Sequence, residues 1–106
     1  MIRKPEKVNI LGREYAIVYV DNPSDVDTHK RESLWGQIDY WTRTIRIYDN
    51  GRSATDLWQT LMHELLHGIS AEMHWDELRK DDITIDILSL ALIDVFTRNG
   101  WITIDE

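Results

Sequence analysis

Residues 57–69 read Leu-Trp-Gln-Thr-Leu-Met-His-Glu-Leu-Leu-His-Gly-Ile. Apolar residues recur here at intervals of three and four, which predicts an amphipathic helix from about 55 to 73. Leu57, Leu61 and Leu65 make one apolar row of that helix. Ser53 or Thr55 is positioned to cap its N-terminus. The stretch is therefore expected to be the central helix of the domain.

Within this helix, His63, Glu64 and His67 form the pattern His-Glu-x-x-His. Side chains four residues apart lie on one helical face, so both imidazoles can reach one metal ion at ~2.0–2.1 Å. A glutamate next to the first histidine can polarise a metal-bound water. A purely structural role would require a partner for each of three buried polar groups, which disfavours that interpretation. The motif therefore predicts a metal site.

The segments on either side of this helix predict strands before it and one helix after it. Residues 7–11 and 14–20 alternate as two strands of a hairpin, and 34–40 and 42–48 form a second pair. Residues 81–98 have helical periodicity and end at Asn-Gly. The connecting segments are expected to be a polar loop at 21–33, a link at 75–80 and a strand or tail at 101–104.

This order of elements predicts an α+β fold. Strands come first and helices second, so the expectation is a small antiparallel sheet with two packed helices on one face. The chain has 106 residues and no interdomain linker, so residues 1–106 are expected to form a single domain.

Charge and composition exclude several classes of partner. The net charge is −7, and there is no basic stripe for nucleic acid or for an anionic membrane. The pairs Lys30-Arg31 and Arg79-Lys80 are expected to be solvated surface. Cysteine is absent, so any metal must be held by histidines and carboxylates. Neither a membrane-length apolar run nor a signal-peptide core is present, which makes the cytoplasm the expected location.

A catalytic zinc site needs a third protein ligand, with water in the open position. The last predicted helix opens with acidic residues, and an antiparallel packing on the central helix would bring them toward the histidines. Asp86 is the preferred ligand because it lies in an apolar run, Asp82 is second and His74 third. One aspartate could bind the metal while the other orients a ligand histidine by a hydrogen bond to its second ring nitrogen. Asp81 and Asp82 could equally serve as a helix N-terminal cap.

The motif and its flanks resemble those of zinc peptidases called zincins. Thr60 stands three residues before the first histidine and Ile69 two residues past the second, as the longer consensus requires. Residues 34–100 as a whole resemble the short metallopeptidase-like proteins of phages and mobile elements, relatives of the ImmA/IrrE type.

That resemblance implies a minimal zincin-like metalloprotease fold and a bound Zn²⁺. It implies that His63 and His67 are metal ligands, that Glu64 is the general base, and that an acidic residue on the following helix completes the site. Family members commonly carry glutamate on that helix, whereas this chain carries only aspartate there. A pair of histidines with a carboxylate also suits Fe²⁺, Mn²⁺ and Co²⁺.

The function expected from these features is a zinc-dependent metallopeptidase that hydrolyses a peptide or protein substrate by metal-activated water. The substrate is expected to add as an extended strand to a sheet edge formed by residues 42–48. Candidates for stabilising the oxyanion are His29, His74 and Tyr40.

Two alternatives remain open. One is a zincin-like binding protein without turnover. The other is a metal-dependent endoribonuclease of the small bacterial type linked to ribosome maturation, which carries His-x₃-His-x₅-His. Here His63, His67 and His74 give His-x₃-His-x₆-His, which is one residue longer. The lack of a basic surface also disfavours the nuclease.

Overall fold

The described part of the chain contains four strands, three α-helices and a short 3₁₀ helix at Pro23–Asp25, within the segment expected to be a polar loop. The computed structural model describes residues 4–27 and 34–104. The elements are β1 (Lys7–Ile10), β2 (Arg13–Val20), β3 (Gly36–Asp39), β4 (Thr44–Tyr48), α1 (Ala54–Glu72), α2 (Asp76–Arg79) and α3 (Asp82–Arg98). The two strand pairs and the two long helices lie where the sequence predicts them, and the α+β class is confirmed.

The sheet is mixed rather than wholly antiparallel, which corrects the sequence-based expectation. The strand order is β1-β2-β4-β3. Both hairpins are antiparallel, but β2 and β4 run parallel. The second hairpin (β3 and β4) therefore joins the first (β1 and β2) by pairing β4 with β2. Ile45 and Ile47 on β4 are both fully buried, in keeping with the position of β4 inside the sheet.

This topology also changes which strand forms the sheet edge near the helices. Residues 42–48 were expected to supply that edge, but β4 lies between β2 and β3. Among the described strands, the edge on this side belongs to β3 instead. Local turn signals predict hairpins, whereas the order in which two hairpins join depends on contacts distant in sequence.

Helix α1 lies across one face of the sheet and closes the core. Ser53 caps it by accepting a hydrogen bond from the backbone N–H of Asp56 at 3.1 Å. Gly68 brings the helix close to the strands, since a Cβ there would lie 2.8 Å from Cδ1 of Ile10. The core consists of residues from β1, β2, β4 and α1, namely Ile10, Tyr15, Ile17, Ile45, Ile47, Leu57 and Leu61.

The chain reverses direction after α1. His74 adopts a left-handed backbone conformation with φ of +57°, and the short α2 follows. Helix α3 then runs back along α1 and packs chiefly against α1 and α2. Three side chains of α3 are buried: Ile85, Ser89 and Ile93. Among the described residues, no helix combines the length and apolar character needed to cross a membrane.

Residues 101–104, expected to be a strand or a tail, contain no strand. Trp101 packs against Phe96 of α3, with 6.0 Å between the ring centres. The tail thus stays close to the end of α3.

Candidate metal centre

Three potential ligand atoms from α1 and α3 converge at one point. Nε2 of His63 and Nε2 of His67 are 3.2 Å apart. Oδ1 of Asp82 lies 2.7 Å from the His67 nitrogen and 3.6 Å from the His63 nitrogen. Tetrahedral coordination at ~2.0–2.1 Å would place two donor atoms about 3.3 Å apart. The spacing of the three atoms therefore fits a zinc-sized ion.

The other nitrogen of each histidine is held by an acceptor. Nδ1 of His67 lies 2.9 Å from the backbone carbonyl oxygen of Arg79, and Nδ1 of His63 lies 3.2 Å from Oδ1 of Asp86. A carbonyl or carboxylate oxygen can accept a hydrogen bond from a protonated Nδ1. In that tautomer both Nε2 atoms would present their lone pairs to a metal ion at the shared point. Outer hydrogen bonds of this kind are typical of metal-binding histidines.

The three N-terminal aspartates of α3 have separate roles. Asp81 caps the helix by accepting from the backbone N–H of Thr84 at 3.0 Å. Asp82 joins the two histidines, and Asp86 contacts the rear nitrogen of His63. The geometry favours Asp82 as third ligand, the reverse of the order expected from the apolar run around Asp86. Because α3 runs antiparallel to α1, its first turn meets His67 and its second turn meets His63.

His74, the third candidate ligand, does not join this group. It is exposed, lies beyond the end of α1, and is absent from the potential metal-binding residues in the described part of the chain. The endoribonuclease alternative required it as a ligand. His29, a candidate for stabilising the oxyanion, lies outside the described residues.

Glu64 lies beside this cluster with its side chain in the protein interior. It is 7% exposed. Burial, and then the negative charge of Asp82, raises the pKa of Glu64 from the ordinary 4.5 to about 8, while a hydrogen bond from the backbone N–H of Ile38 opposes the shift. A bound cation nearby would favour the carboxylate form. The backbone of β3 thus fixes Glu64 in place, and its carboxylate form could accept a proton.

A glycine allows β3 to approach α1 at this point. A Cβ on Gly36 would lie 2.7 Å from Cγ2 of Thr60 and 3.2 Å from Cγ and Oε2 of Glu64. Thr60 is itself held by Arg52, whose Nη2 donates to its hydroxyl at 2.6 Å. Any larger residue at position 36 would push β3 away from Glu64.

The cluster lies at the floor of a cleft of about 680 Å³. One wall is β3 with its flanking residues, including Leu34, Ile38 and Tyr40. The opposite wall is α3, where Ile83 and Ile87 are 76% and 61% exposed. These walls offer apolar surface on both sides of the metal ligands. An occupant with apolar side chains would contact them.

The wall formed by β3 has backbone groups available for pairing. The N–H of Tyr48 donates to the carbonyl of Trp35, so these two residues form a hydrogen-bonded pair across β3 and β4. Hydrogen-bonded and non-bonded pairs alternate along an antiparallel ladder. The backbone groups of Gly36 and Ile38 therefore point away from β4. The Ile38 N–H accordingly reaches Glu64 rather than β4.

Three contributors to the site were not predicted from the sequence. They are the carbonyl of Arg79, the N–H of Ile38 and the missing side chain of Gly36. The first two are backbone groups, which carry no residue signature. From the sequence, Arg79 was expected to lie on the solvated surface because Lys80 beside it is also a cation. The only available sequence signal was Gly36 within a predicted strand, since such a glycine often marks a close backbone approach.

Comparisons with known proteins add nothing to this description. No family model, curated protein or solved structure matches the chain. The resemblance to zincins therefore stays a prediction from the motif and its flanks.

Proposed function

We propose that this chain is a metal-dependent peptidase in which His63, His67 and Asp82 hold a zinc ion. The observation that carries the proposal is the convergence of two Nε2 atoms and one carboxylate oxygen, with an acceptor oxygen beside each Nδ1 atom. This donor set leaves a fourth position for water, as in catalytic zinc sites. Zinc would supply Lewis acidity, both to the attacking water and to the carbonyl oxygen of the substrate.

Glu64 would act as the general base. It follows the first ligand directly, and its buried carboxyl is fixed by the N–H of Ile38. Its role would be to accept the proton of the attacking water and pass it to the leaving amine. A base is most effective when its pKa lies near the working pH. Burial and the charge of Asp82 raise the pKa of Glu64 to about 8, which is near neutral pH. A bound zinc ion would lower this pKa and favour the carboxylate.

The substrate would lie in the cleft as an extended peptide. The outward backbone groups of Gly36 and the carbonyl of Ile38 would pair with it, since a sheet edge readily accepts an added strand, while the N–H of Ile38 stays with Glu64. Of the two oxyanion candidates that the structure describes, Tyr40 is better placed than His74 because it lines the cleft. Burial raises the pKa of Tyr40 to about 12, so its hydroxyl remains protonated and able to donate at neutral pH.

A metal analysis paired with two variants tests this proposal. Protein purified without chelator is expected to contain one zinc per chain, and His67→Ala is expected to contain none. Glu64→Gln is expected to keep the metal while losing peptide hydrolysis by at least a hundredfold, the usual scale for a general base. Folded wild-type protein that takes up no added zinc would rule the peptidase out.

A second candidate is a metal-dependent peptide-binding protein without turnover. The exposure of the acidic residues supports it, because the side chains of Asp82 and Asp86 are 77% and 63% exposed. Such open surroundings exclude less water than most catalytic sites do. The Glu64→Gln variant separates the two candidates: a binding protein would keep both its metal and its peptide affinity, and wild type would show no hydrolysis to lose.

A further inference from the structure

The metal cluster lies at the junction of two cavities. A second cavity of about 350 Å³ shares four lining residues with the main cleft, namely Gly36, His63, Glu64 and Asp86. The two cavities therefore form one continuous groove, and the second extends it past His63 toward the N-terminus of α1. We call this second part the groove extension. Its other lining residues are Trp35, Arg52, Asp56, Gln59, Thr60 and Leu90.

The floor of the groove extension is one face of α1. Asp56 lies seven residues before His63, which is close to two helical turns, so the two side chains share that face. At 1.5 Å per residue, Asp56 lies about 10.5 Å from His63 along the helix axis. Three residues of an extended peptide cover this distance, since a strand rises about 3.3 Å per residue. A strand that crosses the metal cluster would thus continue over Asp56.

The two walls of the groove extension each carry an exposed apolar side chain. Trp35, just before β3, is 60% exposed, and Leu90, one turn after Asp86 on α3, is 43% exposed. A long side chain that lies between them would bury its aliphatic part against both. The groove extension therefore suits a side chain with an apolar stem and a polar end.

Arg52 belongs to the wall and is bonded to the protein. Its Nη1 donates to the carbonyl of Tyr48 at 2.8 Å. Its Nη2 donates to the carbonyl of Asp56 at 3.0 Å and to the hydroxyl of Thr60 at 2.6 Å. The guanidinium carbon also lies 4.3 Å from the centre of the Trp35 ring. These contacts commit three of its five N–H groups to the protein.

The carboxylates of the groove extension are more available to an occupant. Asp56 makes hydrogen bonds to Ser53 and Arg52 through its backbone, while its exposed side chain lines the groove extension. Asp86, whose side chain is 63% exposed, lies at the junction with the main cleft. Two carboxylates outweigh one guanidinium, so the groove extension attracts positive charge.

We propose that the groove extension is a substrate subsite for a long basic side chain, that of lysine or arginine. The aliphatic part of this side chain packs between Trp35 and Leu90, and its charged end meets the carboxylate of Asp56. The role of the subsite in cleavage rests on the proposed function, whereas binding to it needs no metal. The substrate then carries its basic residue on the side of the scissile bond that lies toward the N-terminus of α1.

Blocked octapeptides that differ at one position test this subsite. Each peptide is N-acetylated and C-amidated, and lysine, glutamine or glutamate is moved along an alanine sequence with one fixed phenylalanine for the main cleft. Calorimetry measures binding to zinc-loaded Glu64→Gln and to metal-free wild type. At one position, lysine is expected to bind about tenfold more tightly than glutamate, the scale of exchanging an attractive contact for a repulsive one. Equal affinities at every position would overturn the proposal.

Asp56→Asn tests the charged end of the subsite, because it removes the charge and keeps the size of the side chain. It should abolish the preference for lysine over glutamine at that position and leave zinc affinity unchanged. Glu14→Gln is the matched control, since Glu14 is an acidic residue 69% exposed on β2, and it should keep the preference. A lysine preference that persists in folded Asp56→Asn would overturn the subsite.

Leu90→Trp provides a second variant should Asp56→Asn not fold. The larger ring fills the groove extension from the side of α3, so the lysine peptide should bind more weakly while the peptide with alanine at the same position binds as in wild type. Equal affinity of the lysine peptide for Leu90→Trp and wild type would mean that its side chain does not enter the groove extension.

Unblocked peptides distinguish a side chain from a chain terminus, since an α-amino group carries the same charge as lysine. Tight binding that occurs only with unblocked peptides would overturn the side-chain subsite. Peptide hydrolysis without any lysine preference would also overturn it and leave the proposed function intact. Absence of zinc uptake by wild type would instead overturn the proposed function, and the peptide series with metal-free protein would still decide the subsite.

Discussion

The Nε2 atoms of His63 and His67 face each other at 3.2 Å, and each has an acceptor oxygen beside its Nδ1 atom. With both protons on Nδ1, the two Nε2 lone pairs would repel unless a cation lay between them. The nearest carboxylate oxygen, from Asp82, adds negative charge rather than a proton donor. The arrangement is thus complementary to a positive ion, and four predictions follow from it and from the cleft around it.

Zinc should stabilise the folded chain. An ion that binds only the folded state at a free concentration of a hundred times its Kd contributes about 2.7 kcal/mol. For a domain of this size, that corresponds to a rise in Tm of about 10 °C or more. His67→Ala should abolish the rise in calorimetry. His74→Ala, which alters an exposed histidine two residues past α1, should keep it. An unchanged Tm of wild type on addition of zinc would contradict the site.

The two aspartates of α3 should differ in their effect on zinc affinity. Asp82→Ala removes a ligand and should abolish tight binding, whereas Asp86→Ala removes an outer hydrogen bond and should weaken binding about 10–100-fold. Asp94→Ala is the control on the same helix, where Asp94 pairs with Arg98. Isothermal titration calorimetry with zinc provides the comparison. A larger loss in Asp86→Ala than in Asp82→Ala would mean that Asp86 is the ligand.

Metal-free protein should lose stability as the pH rises from about 5 to about 8. Glu64 has a pKa of about 8 in the folded chain, above its ordinary value of 4.5. The folded chain holds the Glu64 proton more tightly than the unfolded chain does. The stability that this provides is fully present below the unfolded-state pKa and is lost as the pH rises through the folded-state pKa. The expected loss is on the order of 3 kcal/mol.

Urea denaturation of metal-free protein at a series of pH values measures this loss. Between pH about 5 and 8, Glu64→Gln should remove most of the change in the free energy of unfolding with pH, because the side chain no longer titrates. Glu14→Gln serves as the control, since Glu14 is 69% exposed on β2. A slope that persists unchanged in Glu64→Gln would show that other groups determine the pH dependence.

The apolar wall of α3 should contribute to peptide affinity. Ile83 and Ile87 are largely exposed in the free protein and line the cleft, so a bound peptide would bury them. Ile83→Ser with Ile87→Ser should raise KM for peptides with bulky apolar residues by about tenfold, from the lost burial of apolar surface. Zinc affinity should not change.

Val95→Ser controls for the loss of an exposed apolar residue elsewhere on α3, where Val95 is 42% exposed. It should leave KM and zinc affinity as in wild type. Equal KM values for the double variant and wild type would mean that the substrate does not contact this wall.

The sequence by itself determined the main elements and the first two candidate ligands. Periodicity located α1 and α3 to within a residue or two, because each helix has to bury apolar residues at helical spacing. The same spacing put His63 and His67 on one face, since residues four apart align on any helix. The acidic start of α3 also indicated the region of the third candidate ligand.

Only the tertiary structure decided the rest. The parallel pairing of β2 with β4, and with it the free edge at β3, depends on how two hairpins join through residues far apart in the chain. Whether Asp82 or Asp86 faces the two histidines depends on the position of α3 along the axis of α1. A shift of one helical turn would place Asp86 where Asp82 lies. The carbonyl of Arg79 and the N–H of Ile38 reach the site only in the folded chain. No sequence pattern marks them, because every residue except proline carries the same N–H and C=O.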